Sequence, residues 1–431
     1  MKILRTKNNN FYKDLKKIQK LRSQINLQNI DKLVKKIILE IIDKGDKALF
    51  GFAKKFDGSS INEDNILLSK EVRNSYKEKI NIEIMKAFRV AIRNITKYHK
   101  KQKPKNYEII SKGIKINSIW KPMQSVGLYV PGGKAIYPSS LIMNVIPAKV
   151  AGVERIVVVT PSKSDLINPY ILALLDELSI SEVYQIGGAH AIAALAYGTN
   201  SIKPVNKIFG PGNQFVASAK KQVFGDVGID LIAGPSEIVI VADKYNNPKW
   251  VAADLIAQAE HDERAQSILI TDNEEFSKKV ISSIKVLISQ LPKNKIIRSS
   301  LEHYGIVIIT EDLKKSNKII DFIAPEHLHL QNKFRYELSK KINNSGGIFI
   351  GEYSTEAFGD YIIGTNHILP TSGSAKFSSG LGVLDFMKRS SIVDMNKTGY
   401  KLNQENVSKM AEIERLEGHK LSVKIRQIEK N

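Results

Sequence analysis

The chain has 431 residues, 42% apolar and 25% charged, with 65 Lys plus Arg against 44 Asp plus Glu, a formal net charge of +21. Those proportions are ordinary for globular proteins, exclude a disordered or fibrous chain, and at roughly 150 residues per domain predict more than one compact body. Cysteine is absent, which excludes a disulfide scaffold, a thiol nucleophile and a thiolate metal site; any metal must be held by His, Asp, Glu or Gln.

Residues 1–24 begin MKILRTKNNNFYKDLKK, lack the apolar core of a secretory signal, and read as an amphipathic, solvated arm. Helical periodicity follows over 30–105, as in Ile30, Leu33, Val34, Ile37, Ile38 and Ile41, spaced by three and four. That stretch ends in a basic run, 97-KYHKKQKPK-105; the other lysines are scattered in pairs such as Lys35-Lys36 and Lys314-Lys315. A nucleic-acid surface needs clustered cations, so no nucleic-acid partner is expected.

From 107 the pattern changes to short apolar runs, Val126–Val130, Ile156–Val159 and Val183–Ile186, each ending near Pro or Gly and followed by a helix-like segment. A second set follows at Ile238–Val241, Ile268–Ile270, Ile306–Ile309 and Ile348–Ile350, with helices expected over Trp250–Ala265 and Phe276–Leu291. Strand, tight turn, helix, strand is the signature of parallel α/β units. From about 381 the chain reads as a polar helical tail. No run approaches the ~20 apolar residues of a membrane span, so a cytoplasmic protein is expected.

Three glycine turns follow strands: 129-YVPGG-133, 186-IGGAHAIAALAYG-198 and 209-FGPGNQFV-216. Glycine lets backbone approach a phosphate, and a helix N-terminus offers unpaired N–H groups to it. The third turn, 210-GPGNQF-215, lacks the last glycine of the dinucleotide fingerprint, so spacing alone leaves an ordinary turn equally open. Asn247 and Pro248 are suited to start a helix that carries Gln258 and His261 three residues apart on one face. With Asp360 and His419 they make an N/O donor set for a metal, although the Gln-x-x-His pair alone also fits a polar helix face. Glu326-His327, after Pro325, sets a carboxylate beside an imidazole, a pair able to divide proton duties near neutral pH and equally able to be a surface pair.

Taken together the motifs resemble the histidinol dehydrogenase family, from about residue 25 to the C-terminus: VGLYVPGG (126–133), IFGPGNQFV (208–216), DLIAGPSEIVIVAD (230–243), ADLIAQAEHD (253–262), APEHL (324–328), GDYIIGTNHILPT (359–371) and the Glu414/His419 pair. The resemblance implies zinc-dependent, NAD-linked oxidation of L-histidinol to L-histidine through the aldehyde. It places one zinc per subunit on Gln258, His261, Asp360 and His419, and the substrate among Ser236, Gln258, His261, His327, Asp360, Glu414 and His419. Glu326 would activate water and His327 would accept protons. NAD would meet Tyr129, Asn213 and position 190, where this chain has His190 in place of the family's usual Gln. His329 stands where an acidic residue is common and reads as a surface substitution.

The resemblance also implies a homodimer whose exchanged tails complete each other's sites. The implied fold is two incomplete Rossmann-like α/β bodies, one inserted in the other, with helical extensions at both ends. The chain then divides into a 1–24 arm, a metal-bearing domain of 25–106 plus 237–380, a 107–236 NAD-side insert and a 381–431 tail. A zinc hydrolase using the same shell is the competing enzyme class; NADH formation from histidinol separates the two.

Overall fold

Strand sequences such as EIVIV and IVII are unbroken runs of branched apolar residues, and a sheet built from them is stable only with both faces covered. In the computed structural model, which describes residues 1–23, 27–74, 79–132, 137–162 and 167–428, they are used in that way. The strands are β1 (Lys2–Arg5), β2 (Tyr107–Ser111), β3 (Ile114–Pro122), β4 (Ser125–Tyr129), β5 (Arg155–Val159), β6 (Glu182–Tyr184), β7 (Lys207–Phe209) and β8 (Gly228–Ile229). There follow β9 (Glu237–Val241), β10 (Gln266–Thr271), β11 (Ile306–Ile309), β12 (His327–Leu330), β13 (Gly347–Ile350) and β14 (Met387–Met395).

One sheet runs β1-β11-β10-β9-β12-β13 and a second β6-β5-β4-β7-β8, and every pairing in both is parallel. The alternation of side chains along β9 sends Ile238 and Ile240 to a core with Leu255 and Phe276, and Val239 and Val241 to an opposite core with Leu15 and Ile320. The protein is therefore a mixed α/β protein with parallel sheets, and all seven apolar runs expected as strands form them.

Contacts divide the chain into two units, 1–102 with 123–386, and 103–122 with 387–431. In the second unit β14-β3-β2 form an antiparallel sheet accompanied by helices Lys397–Ile413 and Glu417–Ile428. The tail expected to be helical thus begins with a strand, matched to β3 from Met387↔Pro122 to Met395↔Ile114.

The amino-terminal segment differs from the solvated arm expected of it. β1 is the edge strand beside β11, and helix Phe11–Ser23 buries Phe11, Leu15 and Ile18. Lysines on the outer face of that helix mask the apolar spacing that docks the inner one. Helices Leu27–Lys44 and Asp46–Phe52 also differ: Val34, Ile37, Ile41 and Leu49 share a core with Ile192 and Leu195 of helix Gly188–Tyr197 and Ile208 of β7, whereas the sequence grouped them with 237–380. The boundary placed between 24 and 25, and Gly133 of the first glycine turn, lie outside the described residues. No helix among the described residues is long and apolar enough to cross a membrane.

Candidate active site

Pro248 opens helix Pro248–Ala259, whose first turn is capped by the Asn247 side chain accepting from Lys249 N at 2.9 Å, as the sequence predicts. The helix stops at Ala259, so the expectation that Gln258 and His261 share a helix face is corrected. The polar run EHDER has nothing to bury and leaves the helix, and His261 folds back in a turn, its N–H 3.3 Å from the Gln258 carbonyl. Gln258 is fully buried. Its amide lies against Glu237 O at 2.9 Å, Glu356 Oε1 at 3.1 Å and His327 Nδ1 at 3.2 Å, and only the orientation that turns the amide nitrogen toward them satisfies the two oxygens.

Glu326 and His327 stand at the amino end of β12, one strand in from the β13 edge of the first sheet and beside β9. Ala324, at φ 50, closes helix Ser316–Ile323, and Pro325 turns the chain into the strand. The Glu326 carboxylate accepts from Glu237 N at 2.9 Å, and His327 Nδ1 lies 3.2 Å from the Glu237 carbonyl oxygen. One residue at the start of β9 therefore holds both members of the pair. His327 Nε2 is buried, 3.6 Å from Asp360 Oδ1, and has no hydrogen-bond partner among the described residues.

Asp360 comes from helix Glu356–Tyr361, where Glu356 is four residues earlier on the same face. The Asp360 carbonyl is held by His367 Nδ1 at 2.9 Å, and His367 Nε2 lies 3.3 Å from Ser140 Oγ. Ligand-bearing atoms of His261, Glu356 and Asp360 all fall within 4.8 Å of one another.

Crowding carboxylates around one buried imidazole shifts every member. Burial pushes the Glu326 carboxyl up to about 7, against the pull of His327. Burial likewise raises Glu356 to about 8. For His327 burial works the other way, but Glu356, Glu326 and Asp360 outweigh it and lift the imidazole to about 10. Asp360 stays below its usual range because the pull of His327, His367 and His261 exceeds the penalty of burial.

The residues expected around NAD lie at the carboxyl edge of the second sheet. Tyr129 ends β4; it is buried, burial raises its phenol to about 12, and its Oη accepts from Gly188 N at 3.2 Å. Asn213 is exposed and caps helix Gln214–Val223, its side chain accepting from Phe215 N at 3.0 Å and Val216 N at 3.2 Å. His190 is buried, its Nε2 3.1 Å from Asp57 Oδ2, with the rings of Phe52 and Phe56 alongside. Asp57 also accepts from Gly187 N at 3.0 Å, so a carboxylate from a distant segment occupies the start of helix Gly188–Tyr197.

Of the other residues singled out, Ser236 directly precedes β9, half-buried, its carbonyl accepting from Gln266 N at 2.9 Å. Glu414 and His419 are exposed on the second unit. His329 is corrected: it is fully buried on β12, with Nε2 2.8 Å from Gly351 O and Nδ1 3.4 Å from Asp254. Sequence reasoning missed Glu356, for which the Glu-x-x-x-Asp spacing on one helix was the available signal. It also missed Glu237 and Asp57, whose parts depend on contacts across 89 and 133 positions and carry no local signal.

A family model described as histidinol dehydrogenase matches residues 20–427. The histidinol dehydrogenases of Aquifex aeolicus and Caldanaerobacter subterraneus are 44% and 45% identical over 406 residues, 94% of this chain and 94% of each relative. The crystal structure of histidinol dehydrogenase from Elizabethkingia anophelis superposes with a TM-score of 0.92 at 35% identity, covering 99% of this chain and 98% of that one. With the family model spanning residues 20–427, relatives matched over 94% of the chain and the fold matched throughout, this chain belongs to the histidinol dehydrogenase family.

Proposed function

We propose that the protein oxidises L-histidinol to L-histidine through L-histidinal, the final step of histidine biosynthesis, using one Zn²⁺ per subunit and two NAD⁺ in succession. The observation that carries this reading is the buried Nε2 of His327, without a hydrogen bond among the described residues and 3.6 Å from Asp360 Oδ1. An alcohol-to-acid oxidation needs one base used repeatedly, one water and two hydride acceptors, and it needs the base at a fixed atom. With Nδ1 committed to the Glu237 carbonyl, neutral His327 keeps Nε2 as its basic nitrogen.

The donor types suit zinc: His261 and Asp360, whose ligand atoms converge with Glu356, would hold it together with Gln258, which lies against Glu356, and with His419 of the partner subunit. Bound there, zinc would orient the amino alcohol and polarise its oxygen. Substrate would be enclosed by Ser236, Gln258, His261, His327 and Asp360 of one subunit and by Glu414 and His419 of the partner subunit. His327 Nε2 takes the hydroxyl proton as hydride leaves for NAD⁺, giving the aldehyde. Glu326, fixed by Glu237 N, removes a proton from the water that adds to the aldehyde. His327 then takes the proton of the hydrate as the second hydride departs. With Asp360 holding a cation, its support for the His327 proton would weaken and the imidazole would be better able to serve as base. Burial of Glu326 and His327 keeps bulk water from the aldehyde.

The second sheet supports a nicotinamide dinucleotide at Tyr129, His190 and Asn213. Its order, β6-β5-β4-β7-β8, is that of a doubly wound sheet whose switch point lies between β4 and β7, where Tyr129 and the 210–213 turn meet. We accordingly read the two parallel sheets as incomplete Rossmann-like bodies. His190 would act through Asp57 as well as directly. Bound there, NAD would supply the hydride acceptor, and the chain supplies position and proton handling.

Exposed Met410, Ile413, Leu421 and Ile425 on the second unit support a homodimer that covers this apolar surface, with exchange of the tails. The reading is of a cytoplasmic enzyme with no nucleic-acid or membrane partner. The test is NADH absorbance on adding histidinol to zinc-loaded protein, lost on chelation and restored by Zn²⁺. Two NADH formed per histidinol support the two-step reaction; histidinol-independent hydrolysis without NADH refutes it.

A further inference from the structure

Two groups of opposite charge are buried outside the catalytic cluster, and the chemistry above gives them no part. Lys220 and Asp230 have side chains only 3% exposed each, and they form an ion pair. Removing both charges from water is costly, and an apolar pair of similar volume commonly serves stability as well. The partners of this pair show what else it holds. Lys220 Nζ donates to the Asp230 carboxylate, to Gly210 O at 3.0 Å and to Leu231 O at 2.8 Å, which uses all three ammonium protons. Asp230 Oδ2 in turn accepts from Gly210 N at 2.8 Å. Both backbone groups of a single glycine are thereby tied to one ion pair.

Gly210 is the hinge of the turn that leaves β7. Its φ is 110, in the left-handed region, and any side chain there would run into the backbone of Tyr129. Three residues later Asn213 caps helix Gln214–Val223, and Lys220 is on that helix. The turn is therefore gripped at its first residue by a side chain from the second turn of the helix it opens. Tyr129 and Asn213 are held in fixed relation through it.

We propose that the Lys220–Asp230 pair is a positioning device for the cofactor: it sets the 210–213 turn against Tyr129 so that both meet the dinucleotide without reorganisation. The inference rests on the NAD reading above and names residues that reading leaves out. Neither residue is a catalytic residue; they act through Gly210 and Asn213.

The experiment uses the full-length, zinc-loaded enzyme and measures NAD⁺ affinity calorimetrically, histidinol affinity, and amide exchange over 209–216 without cofactor. Lys220→Met is compared with Lys220→Arg and with the double variant Lys220→Met/Asp230→Leu, which leaves no unpaired buried charge if the single variant fails to fold. The expected result is NAD⁺ bound at least tenfold more weakly by the Met variants, histidinol affinity within twofold, faster exchange over 209–216, and partial recovery with Arg. Folded Met variants that bind NAD⁺ within twofold of the unsubstituted enzyme overturn the proposal while leaving the cofactor reading intact. An unsubstituted enzyme that binds no NAD⁺ refutes the cofactor reading, and the proposal falls with it.

Discussion

His327 and Glu237, ninety positions apart in the chain, are joined by one hydrogen bond: the imidazole Nδ1 lies 3.2 Å from the carbonyl oxygen of Glu237 on the adjacent strand β9. A carbonyl oxygen can only accept, so this contact favours the proton on Nδ1 of the neutral imidazole. The other nitrogen is left buried, next to Asp360, as the basic atom. A side chain with two chemically similar atoms is given one role for each.

Replacement of His327 by Asn keeps a donor toward Glu237 and removes the base. Steady-state NADH formation from histidinol is expected to fall by about 10²–10⁴-fold, the usual worth of a positioned base. Zinc content measured on the same sample should stay at the unsubstituted level. A variant with near-normal turnover would assign the proton to another group.

On the proposed mechanism Glu326 serves the second half-reaction and not the first. Glu326→Gln cannot activate water, so single-turnover oxidation of supplied histidinal should slow by about 10²-fold or more while histidinol oxidation is less affected. Because burial puts this carboxyl at about 7, aldehyde oxidation should rise with pH through that value and level off above it, as the carboxylate form accumulates. An unchanged aldehyde step in Glu326→Gln contradicts the assigned role.

Glu326, Glu356 and His327 all have folded-state proton affinities above the ordinary values of 4.5, 4.5 and 6.5, at about 7, 8 and 10. A folded state that binds more protons than the unfolded chain is stabilised at low pH and loses that advantage as pH rises. Metal-free protein should therefore melt progressively lower between about pH 5 and pH 10. Glu356→Gln, which removes one of these protons, should flatten the decline. Thermal melts across pH on chelated protein check this, and stability that climbs over that range would contradict the cluster's electrostatics.

Removal of residues 400–431 is expected to abolish zinc retention and to give a monomer, because Glu414 and His419 are exposed on the second unit and are assigned to the partner's site. Metal analysis with sedimentation measures both. Full metal occupancy in the truncated protein would count against the exchanged tail.

Sequence periodicity sufficed for the parallel strands. The runs Ile238–Val241, Ile268–Ile270 and Ile156–Val159 are apolar at every position, so both of their faces seek cover, and that constraint is local. The start of the helix carrying Gln258 was legible for the same reason, since Asn247 and Pro248 act within one turn. Its end was not: Ala259 is followed by residues whose conformation depends on what lies against them. The burial of His329 and the docking of Phe11, Leu15 and Ile18 were hidden by polar or lysine-rich neighbours, which report solvent preference and not the surface waiting on the other side.

Chain order and residue type settled which chemical groups this protein owns: oxygen and nitrogen donors without a cysteine, a Glu–His couple and glycine turns at strand ends. Their physical meaning came from the folded state. Only the packing of β9 against β12 and of helix Glu356–Tyr361 over them brings Glu237, Glu356 and Asp360 to one imidazole. Charge–charge effects and desolvation depend on distance and burial, and neither is a property of position along the chain.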